Sequence, residues 1–493
     1  MRGAPARMAG AALALLAAST ACNVGPKYRV PAVPAPPAFT EPPPASFTGS
    51  QDWKAAAPDD AGAKGRWWEA FRDSALNGLE EQVDVTNQSL KSAEARFQQA
   101  RAIVRERGAA RLPSAGTGVS IAYQRSSANR AVPVPPADNP AGDFNLGFQA
   151  SWEPDLWGRI RNQVAVAVED AQAVAADVEN ARLSLHAELA LDYFDLRTLD
   201  EERRILENAV EAYRKALELT ENRYRGGAAN RVEVAEARTQ LEATRAQAID
   251  VTDLRAHYQH AIAVLTGRPP EGFALPGDPV PVTLPAIPAG VPSALLERRP
   301  DIAAAERRVA AANSQVGLAR AAFYPQVVLA AAVGLEGSSI TNWLNWPARL
   351  WAIGPSAAQT LFDNGRRRAA LSESTANYDA LVAEYRQDVL TAFQQVEDHL
   401  ASLRILEAEA ERQQRAVESA RESEGLSLNR YKGGLVTYLE VVTAQGIRLQ
   451  NERAAVNIER RRRQESVMLI RALGGGWNAS SLPPAAVLKA KGS

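Results

Sequence analysis

The stretch Asn222-Arg-Tyr-Arg-Gly-Gly-Ala-Ala-Asn-Arg-Val-Glu-Val-Ala-Glu-Ala237 recurs as Asn429-Arg-Tyr-Lys-Gly-Gly-Leu-Val-Thr-Tyr-Leu-Glu-Val-Val-Thr-Ala444. The copies lie 207 residues apart (429 less 222), and Asn, Arg, Tyr, the glycine pair, Glu, Val and Ala coincide. Gly158-Arg159 and Gly365-Arg366 keep that spacing, each opening a long helix-forming run. Upstream, Arg111-Leu112-Pro113 and Phe323-Tyr324-Pro325 each close a helical run, now 212 residues apart (323 less 111), so copy one has five extra residues between its Pro and its Gly. Three landmarks in one order make the chain a tandem repeat, which decides the fold before any single element does.

Each copy reads helix, strand, loop, strand, long helix, Gly-Gly turn, helix. In copy one a run over about 75–110 has no Pro and only Gly78 and Gly108, and it predicts one helix. Strict alternation at Phe144, Leu146, Phe148, Ala150 and Trp152 predicts a strand over 144–153, preceded by one over 117–125. Copy two offers strands over 327–335 and 350–362. Gly158 to Gly226 contains no proline and no internal glycine, which at 1.5 Å per residue gives a helix of ~100 Å. Gly365 to Gly433 is similar. Apolar residues recur at three and four, among them Ala187, Leu191 and Phe194, and then Val389, Phe393, Val396 and Leu400. That is a coiled-coil stripe rich in Ala. The run 75–110 and the run 230–266 together roughly equal the long helix, so two short helices should lie end to end beside one long one.

The N-terminus reads separately. Arg2 and Arg7, an apolar core from Ala9 to Ala18, small residues 19–21 and then Cys22 form a signal peptide over 1–21 with a lipoprotein cleavage site. Cys22 is the only cysteine, so no intrachain disulfide forms. It is expected to carry S-diacylglycerol and an N-acyl chain, although Ser19 stands where such sites usually have Leu. Asn23 after it points to the outer membrane by the sorting rule. Prolines dominate 31–44, so residues 22–60 read as an acylated N-terminus with an extended arm. Beyond it lie repeat one over 61–275 with its tip turn at 225–230, and a linker over 276–294. Repeat two follows over 295–475 with its tip at 432–437, then a tail over 476–493.

Charge excludes other classes. Lys+Arg number 56 against 57 Asp+Glu, so nothing points to nucleic acid. No apolar run after residue 22 is long enough for a membrane helix. Four strands of about ten residues have the length of tilted membrane crossings, yet four cannot close a barrel and an open edge is forbidden in lipid. If these strands lie in a membrane, several chains share one barrel, and three chains give twelve strands. Tyr123, Trp152, Trp157, Trp343, Trp346 and Trp351 near the strand ends fit interfacial girdles.

At this point the residues resemble a family: the TolC-like outer-membrane factors, in the lipid-anchored branch that serves multidrug efflux pumps. The resemblance rests on Cys22-Asn-Val-Gly-Pro-Lys-Tyr and its Pro-rich arm, on Trp67-Trp68-x-x-Phe71, and on Tyr193-Phe194-x-Leu196-Arg197. It rests further on Arg299-Pro300-Asp301-Ile302-x-x-x-Glu306, on Ala319-Arg320-x-x-Phe323-Tyr324-Pro325, and on both Tyr-x-Gly-Gly turns. It covers nearly all of the chain after the signal peptide. It implies a mainly α fold with a small β part: a homotrimer with a twelve-strand barrel in the outer membrane and a long periplasmic helical barrel. A mixed equatorial belt would come from 267–294, 45–70 and the C-terminal tail. It implies a passive exit duct that meets a periplasmic adaptor and, through it, an inner-membrane pump of the proton-driven RND class. A duct for type I protein secretion, or a non-conducting coiled-coil scaffold lipoprotein, is the alternative.

No enzyme chemistry is visible, and no cofactor or metal is expected. His257 and His260 on one helix lack a third ligand by spacing, and His186 and His399 read with them as surface residues. The resemblance makes Gly226, Gly227, Gly433 and Gly434 the adaptor-contacting tips. It makes Glu233 and Glu440, about two turns beyond the tips, an acidic ring at the pore entrance. It makes Tyr431 part of the network that holds the entrance shut. Val436 stands where some relatives carry Arg, so closure is expected to rest on the packing of Leu435, Val436 and Tyr438.

Overall fold

The computed structural model describes residues 23–48, 65–127, 129, 140–277, 284–287 and 292–490. The expected signal peptide over 1–21, Cys22, most of the loop 126–143 and most of the linker 276–294 lie outside the described residues.

Copy one contains α1 (Ser74–Thr86), α2 (Gln88–Ala109), β1 (Ser114–Gln124), β2 (Ala141–Trp152), α3 (Arg159–Arg225) and α4 (Arg231–Leu265). Copy two contains α5 (Pro300–Ala321), β3 (Gln326–Gly337), β4 (Arg349–Ala358), α6 (Arg366–Lys432) and α7 (Tyr438–Ala472). A short α8 (Ala485–Lys489) ends the described chain. The long helices α3 and α6 each have 67 residues, hence ~100 Å of helix, and α4 and α7 each have 35. An aspartate opens each long helix. Asp155 accepts from the N–H groups of Ile160 and Arg161 at 3.0 and 2.8 Å, and Asp363 from Gly365 and Arg367 at 3.2 and 3.3 Å. The carboxylates satisfy N–H groups that a helix start leaves without partners.

The expected single helix over 75–110 is two helices. Asn87 breaks it with an extended backbone, although neither Gly nor Pro is present. Its side chain accepts from Leu90 N–H at 3.0 Å to cap α2, and its amide donates to the Leu265 carbonyl at 2.8 Å. The end of α4 is thereby joined to the start of α2, so these two short helices do run end to end along α3. In copy two Arg299 makes the same joint, donating to the Ala472 carbonyl at the end of α7 at 3.1 Å. Asp301 fixes its guanidinium through bonds of 3.0 and 2.6 Å, which explains the Arg-Pro-Asp motif.

The four strands form one antiparallel meander in the order β1-β2-β3-β4. β4 ends at Ala358, short of the expected 362, because Ala358 pairs with Gln326, the first residue of β3, and Pro325 beyond it has no N–H to extend the ladder. The register sorts the side chains by face. Val119, Leu146, Leu335 and Arg349 share a row, as do Thr117, Phe148, Val333 and Trp351. Asn145, Gly147, Gln149 and Ser151 fall on the other face with Ala330, Ala332 and Gly354. One face is therefore apolar and the other small and polar. Among the described residues no helix covers the apolar face: Phe148 is 54 % exposed, Ile353 68 % and Trp351 74 %.

The largest core lies at mid-height of α3. Trp67, Trp68 and Phe71 pack there with Leu189, Tyr193 and Phe194, beside Val389 and Val396 of α6. His186 belongs to this core. It is 2 % exposed and stacks on Trp68 at 4.4 Å, which corrects its assignment to the surface: pairing with Glu80 at 2.7 Å and Asp84 at 3.3 Å lets the ring be buried.

Two straps leave this belt. At the sheet end, Asn23 Oδ1 accepts from Asn162 of α3 at 3.0 Å, and Asn313 of α5 donates to the Pro26 carbonyl at 3.1 Å. The arm then descends, with Tyr28 bonded to Glu306 and the N–H groups of Thr40 and Glu41 donating to the Glu397 carboxylate at 2.7 and 2.8 Å. The C-terminal tail climbs in return, and only its first part is equatorial. Trp477 and Leu482 pack on Ala176, Gln172 donates to the Pro483 carbonyl, and Leu488 is buried with Val104, Ile160 and Val164 just below the sheet. The tail leaves the belt because that apolar groove between α2 and α3 needs a cover.

Candidate gate at the helical tips

At the far end from the sheet, α3 turns into α4 and α6 into α7. The bonding is the same at both turns. Ala228 N–H reaches the Arg223 carbonyl at 2.8 Å and Gly227 N–H the Tyr224 carbonyl at 3.0 Å. Leu435 N–H reaches Arg430 and Gly434 N–H reaches Tyr431, both at 3.0 Å. This paired bonding is a Schellman motif, and it needs a left-handed residue at the second glycine. Gly227 (φ 75°) and Gly434 (φ 74°) supply it. Gly226 and Gly433 keep φ of −81° and −75° and have no conformational need to be glycine. Within the chain, a side chain added at any of the four would meet no atom closer than 3.5 Å.

Tyr431 sits at the centre. Its ring is 1 % exposed and lies edge-on to Tyr438 with centroids 5.4 Å apart. Its hydroxyl donates to Glu233 at 3.1 Å and lies 3.4 Å from the Thr220 hydroxyl, and burial pushes its pKa up. Ala216, Ala237 and Val441 close the cluster, with half-buried Val436 against it. Leu435 is 75 % exposed within the protomer and is not a member of this cluster. The Tyr438 hydroxyl is buried without a partner among the described residues, an arrangement that costs about 1–3 kcal/mol.

Arg223 was missed by sequence reasoning. Its guanidinium lies over the Tyr431 ring at 4.6 Å and donates to the carbonyls of Tyr431 at 3.0 Å and Lys432 at 3.4 Å. A cation from copy one thus covers the C-terminal carbonyls of α6, where the helix dipole favours it. The signal was present: Arg223 belongs to the repeated Asn-Arg-Tyr. Val436 provides no charged link, but Arg223 provides one across the same junction.

The two glutamates lie in the first turn of the returning helices, nearer the tips than expected. Glu233 is engaged within the protomer. It completes a capping box with Asn230 and accepts from Tyr431. Glu440 is exposed and faces Arg430 at 3.5 Å, both groups about half exposed. Such a pair contributes little in water.

The chain as a whole is similar to known proteins. The family described as outer membrane efflux protein matches residues 79–268 and 291–475, one segment for each repeat. The pyoverdine export outer membrane protein OpmQ of Pseudomonas aeruginosa is 32 % identical over 430 residues, 86 % of this chain and 90 % of that protein. The solved outer-membrane channel OprN is 30 % identical with a TM-score of 0.83, covering 92 % of this chain and 100 % of that one. The outer membrane protein VceC of Vibrio cholerae is 31 % identical with a TM-score of 0.80, covering 84 % and 100 %.

Proposed function

This chain belongs to the outer membrane efflux protein family, a family of channels rather than enzymes, and from that premise we propose a passive, gated exit duct. It is an outer-membrane efflux channel with a long periplasmic helical extension. The finer reading is a homotrimer whose four-strand sheets close one twelve-strand barrel. A periplasmic adaptor meets the tips, and an inner-membrane pump of the proton-driven RND class supplies the energy. The cargo class is small toxic compounds. The observation that carries the reading is the bare apolar sheet face above ~100 Å helices. Apolar rows left uncovered by protein and strands left unpaired at β1 and β4 are tolerable only in lipid with neighbouring chains. A pore-less scaffold has no use for that sheet. The lipid on Cys22 fits this placement, because Asn23 is docked beside the first turn of α3, at the membrane border.

The gate is the tip cluster. Closure rests on Arg223 and Tyr431, which tie copy two to copy one, and adaptor binding favours the state in which those ties are broken. Glu440, exposed in its own protomer, is the carboxylate turned toward the adjoining chains. Arg223→Gln and Tyr431→Phe each remove a charge-assisted or buried bond worth about 1–3 kcal/mol. Both are expected to raise single-channel conductance in planar bilayers several-fold, and Val436→Ala to do so less. Wild-type conductance in Arg223→Gln and Tyr431→Phe alike rules out this gate.

A further inference from the structure

Charge is distributed unevenly along the molecule. The helical turns adjoining the sheet, residues 101–113, 153–163, 317–327, 359–369 and 485–490, contain eleven Lys or Arg and four Asp or Glu. The rest of the chain contains 45 and 53 (56 less 11, and 57 less 4), so a surplus of seven positive charges sits at one level of a protein with net charge −1. The acidic groups at that level are already engaged. Glu153 pairs with Arg159, Asp155 with Arg161, Asp363 with Arg367, and Glu106 lies 3.9 Å from Arg107. Arg105, Arg111, Arg320, Arg366, Arg368 and Lys489 are exposed, and among the described residues none of them has an ion-pair partner. Arg366 and Arg368 also open α6, the end of a helix where the dipole disfavours cations.

The level is that of a membrane border. Trp152 on the apolar sheet face donates to the Arg111 carbonyl at 3.0 Å, and Trp157 stacks on Tyr324 at 4.9 Å just beneath. The opposite rim differs. Among the described residues it carries Arg125 and Arg349 against Asp143 and Glu336, in balance, and Arg349 lies over the Trp346 ring. One rim of the apolar band is strongly basic and the other neutral.

We propose that the basic rim binds the phosphate headgroups of anionic glycerophospholipids in the leaflet bordering the helical tunnel. This rests on the reading that the sheet is embedded in lipid. Unpaired guanidinium groups take phosphate oxygens through paired N–H donors, and a collar of them attracts an anionic surface collectively. The rim fixes how deep the barrel sits and which way round.

The test uses the full-length channel in detergent. Its unfolding temperature is measured with phosphatidylglycerol and with phosphatidylcholine of the same acyl chains. Phosphatidylglycerol is expected to raise it by several degrees more, and high salt to erase the difference. Combining Arg105→Gln, Arg111→Gln, Arg320→Gln, Arg366→Gln and Arg368→Gln should abolish the preference. Arg214→Gln, Lys215→Gln, Arg225→Gln, Arg238→Gln and Arg245→Gln together, an equal change toward the tips, should preserve it. Arg366→Gln with Arg368→Gln, two side chains outside the core, should halve it if the larger set fails to fold. A rim variant that keeps the preference, a tip variant that loses it equally, or a stronger response to lipid A through the same arginines overturns the proposal. Bilayer conductance of the wild type separates the two readings: a conducting wild type without lipid preference refutes the rim alone, and a non-conducting wild type refutes the barrel.

Discussion

Arg223 and Arg430 occupy equivalent places in the repeat and do different things. Arg223 covers the carbonyls that end α6, whereas Arg430 reaches only exposed Glu440. Their neighbours divide in the same way: Tyr431 is 1 % exposed and Tyr224 47 %. Identical residues therefore acquire separate roles from what faces them, which no local pattern reveals. The glycine pairs show the same limit. The sequence marks both residues of each pair as turn formers, but the bonding pattern alone singles out the second. Gly227→Ala and Gly434→Ala should each lower stability by about 1–2 kcal/mol, because they force an L-residue into the left-handed region. Gly226→Ala and Gly433→Ala, at helical φ, should be neutral or slightly stabilising. Denaturant unfolding of the four variants decides it, and equal losses across each pair would refute the Schellman assignment.

At the scale of elements, the long helices were legible because 67 residues without proline have few alternatives. The joint at Asn87 was not, since its partner, the Leu265 carbonyl, lies 178 residues away. Nor was the trio around His186. Burial raises the pKa of Glu80 to about 7, against the pull of His186. For His186, burial works to lower the pKa, and hydrogen bonds to Asp84 and Glu80 outweigh it and raise the value to about 8. The hydrogen bond from His186 holds the Asp84 carboxyl low. A histidine raised from 6.5 stabilises the fold fully below 6.5, and that contribution is lost as pH rises through 8. The cost of ionising buried Glu80 grows in the same direction between 4.5 and 7, while Asp84 matters only at acid pH. The unfolding temperature should therefore fall from about pH 6 to 9, and His186→Gln should remove the part of the slope above about pH 7. A slope unchanged by that substitution assigns the pH dependence elsewhere.

At the scale of the molecule, the repeat makes a prediction about its neighbours. Tyr431 meets Thr220, Arg223 and Glu233 inside one protomer. Shifting each partner by 207 residues pairs exposed Tyr224 with Ser427, Arg430 and Glu440 of an adjoining chain. A short thiol-reactive cross-linker should join Tyr224→Cys to Glu440→Cys between chains and yield covalent trimers on denaturing gels. Tyr431→Cys with Glu233→Cys should cross-link only within a monomer. Monomers alone from the first pair would remove the proposed seam. The sheet's faces were readable in advance from strict alternation, but the climb of the tail was not, because 476–490 shows no period to betray the groove it fills. That climb bears on timing. Val104, Ile160 and Val164 stay bare until Leu488 arrives, and Leu488 follows Val104 by 384 residues (488 less 104). The upper helices cannot reach their final packing before that strap has been made, so the parts translated first remain unfinished, and available for transport across a membrane, until a much later segment closes over them.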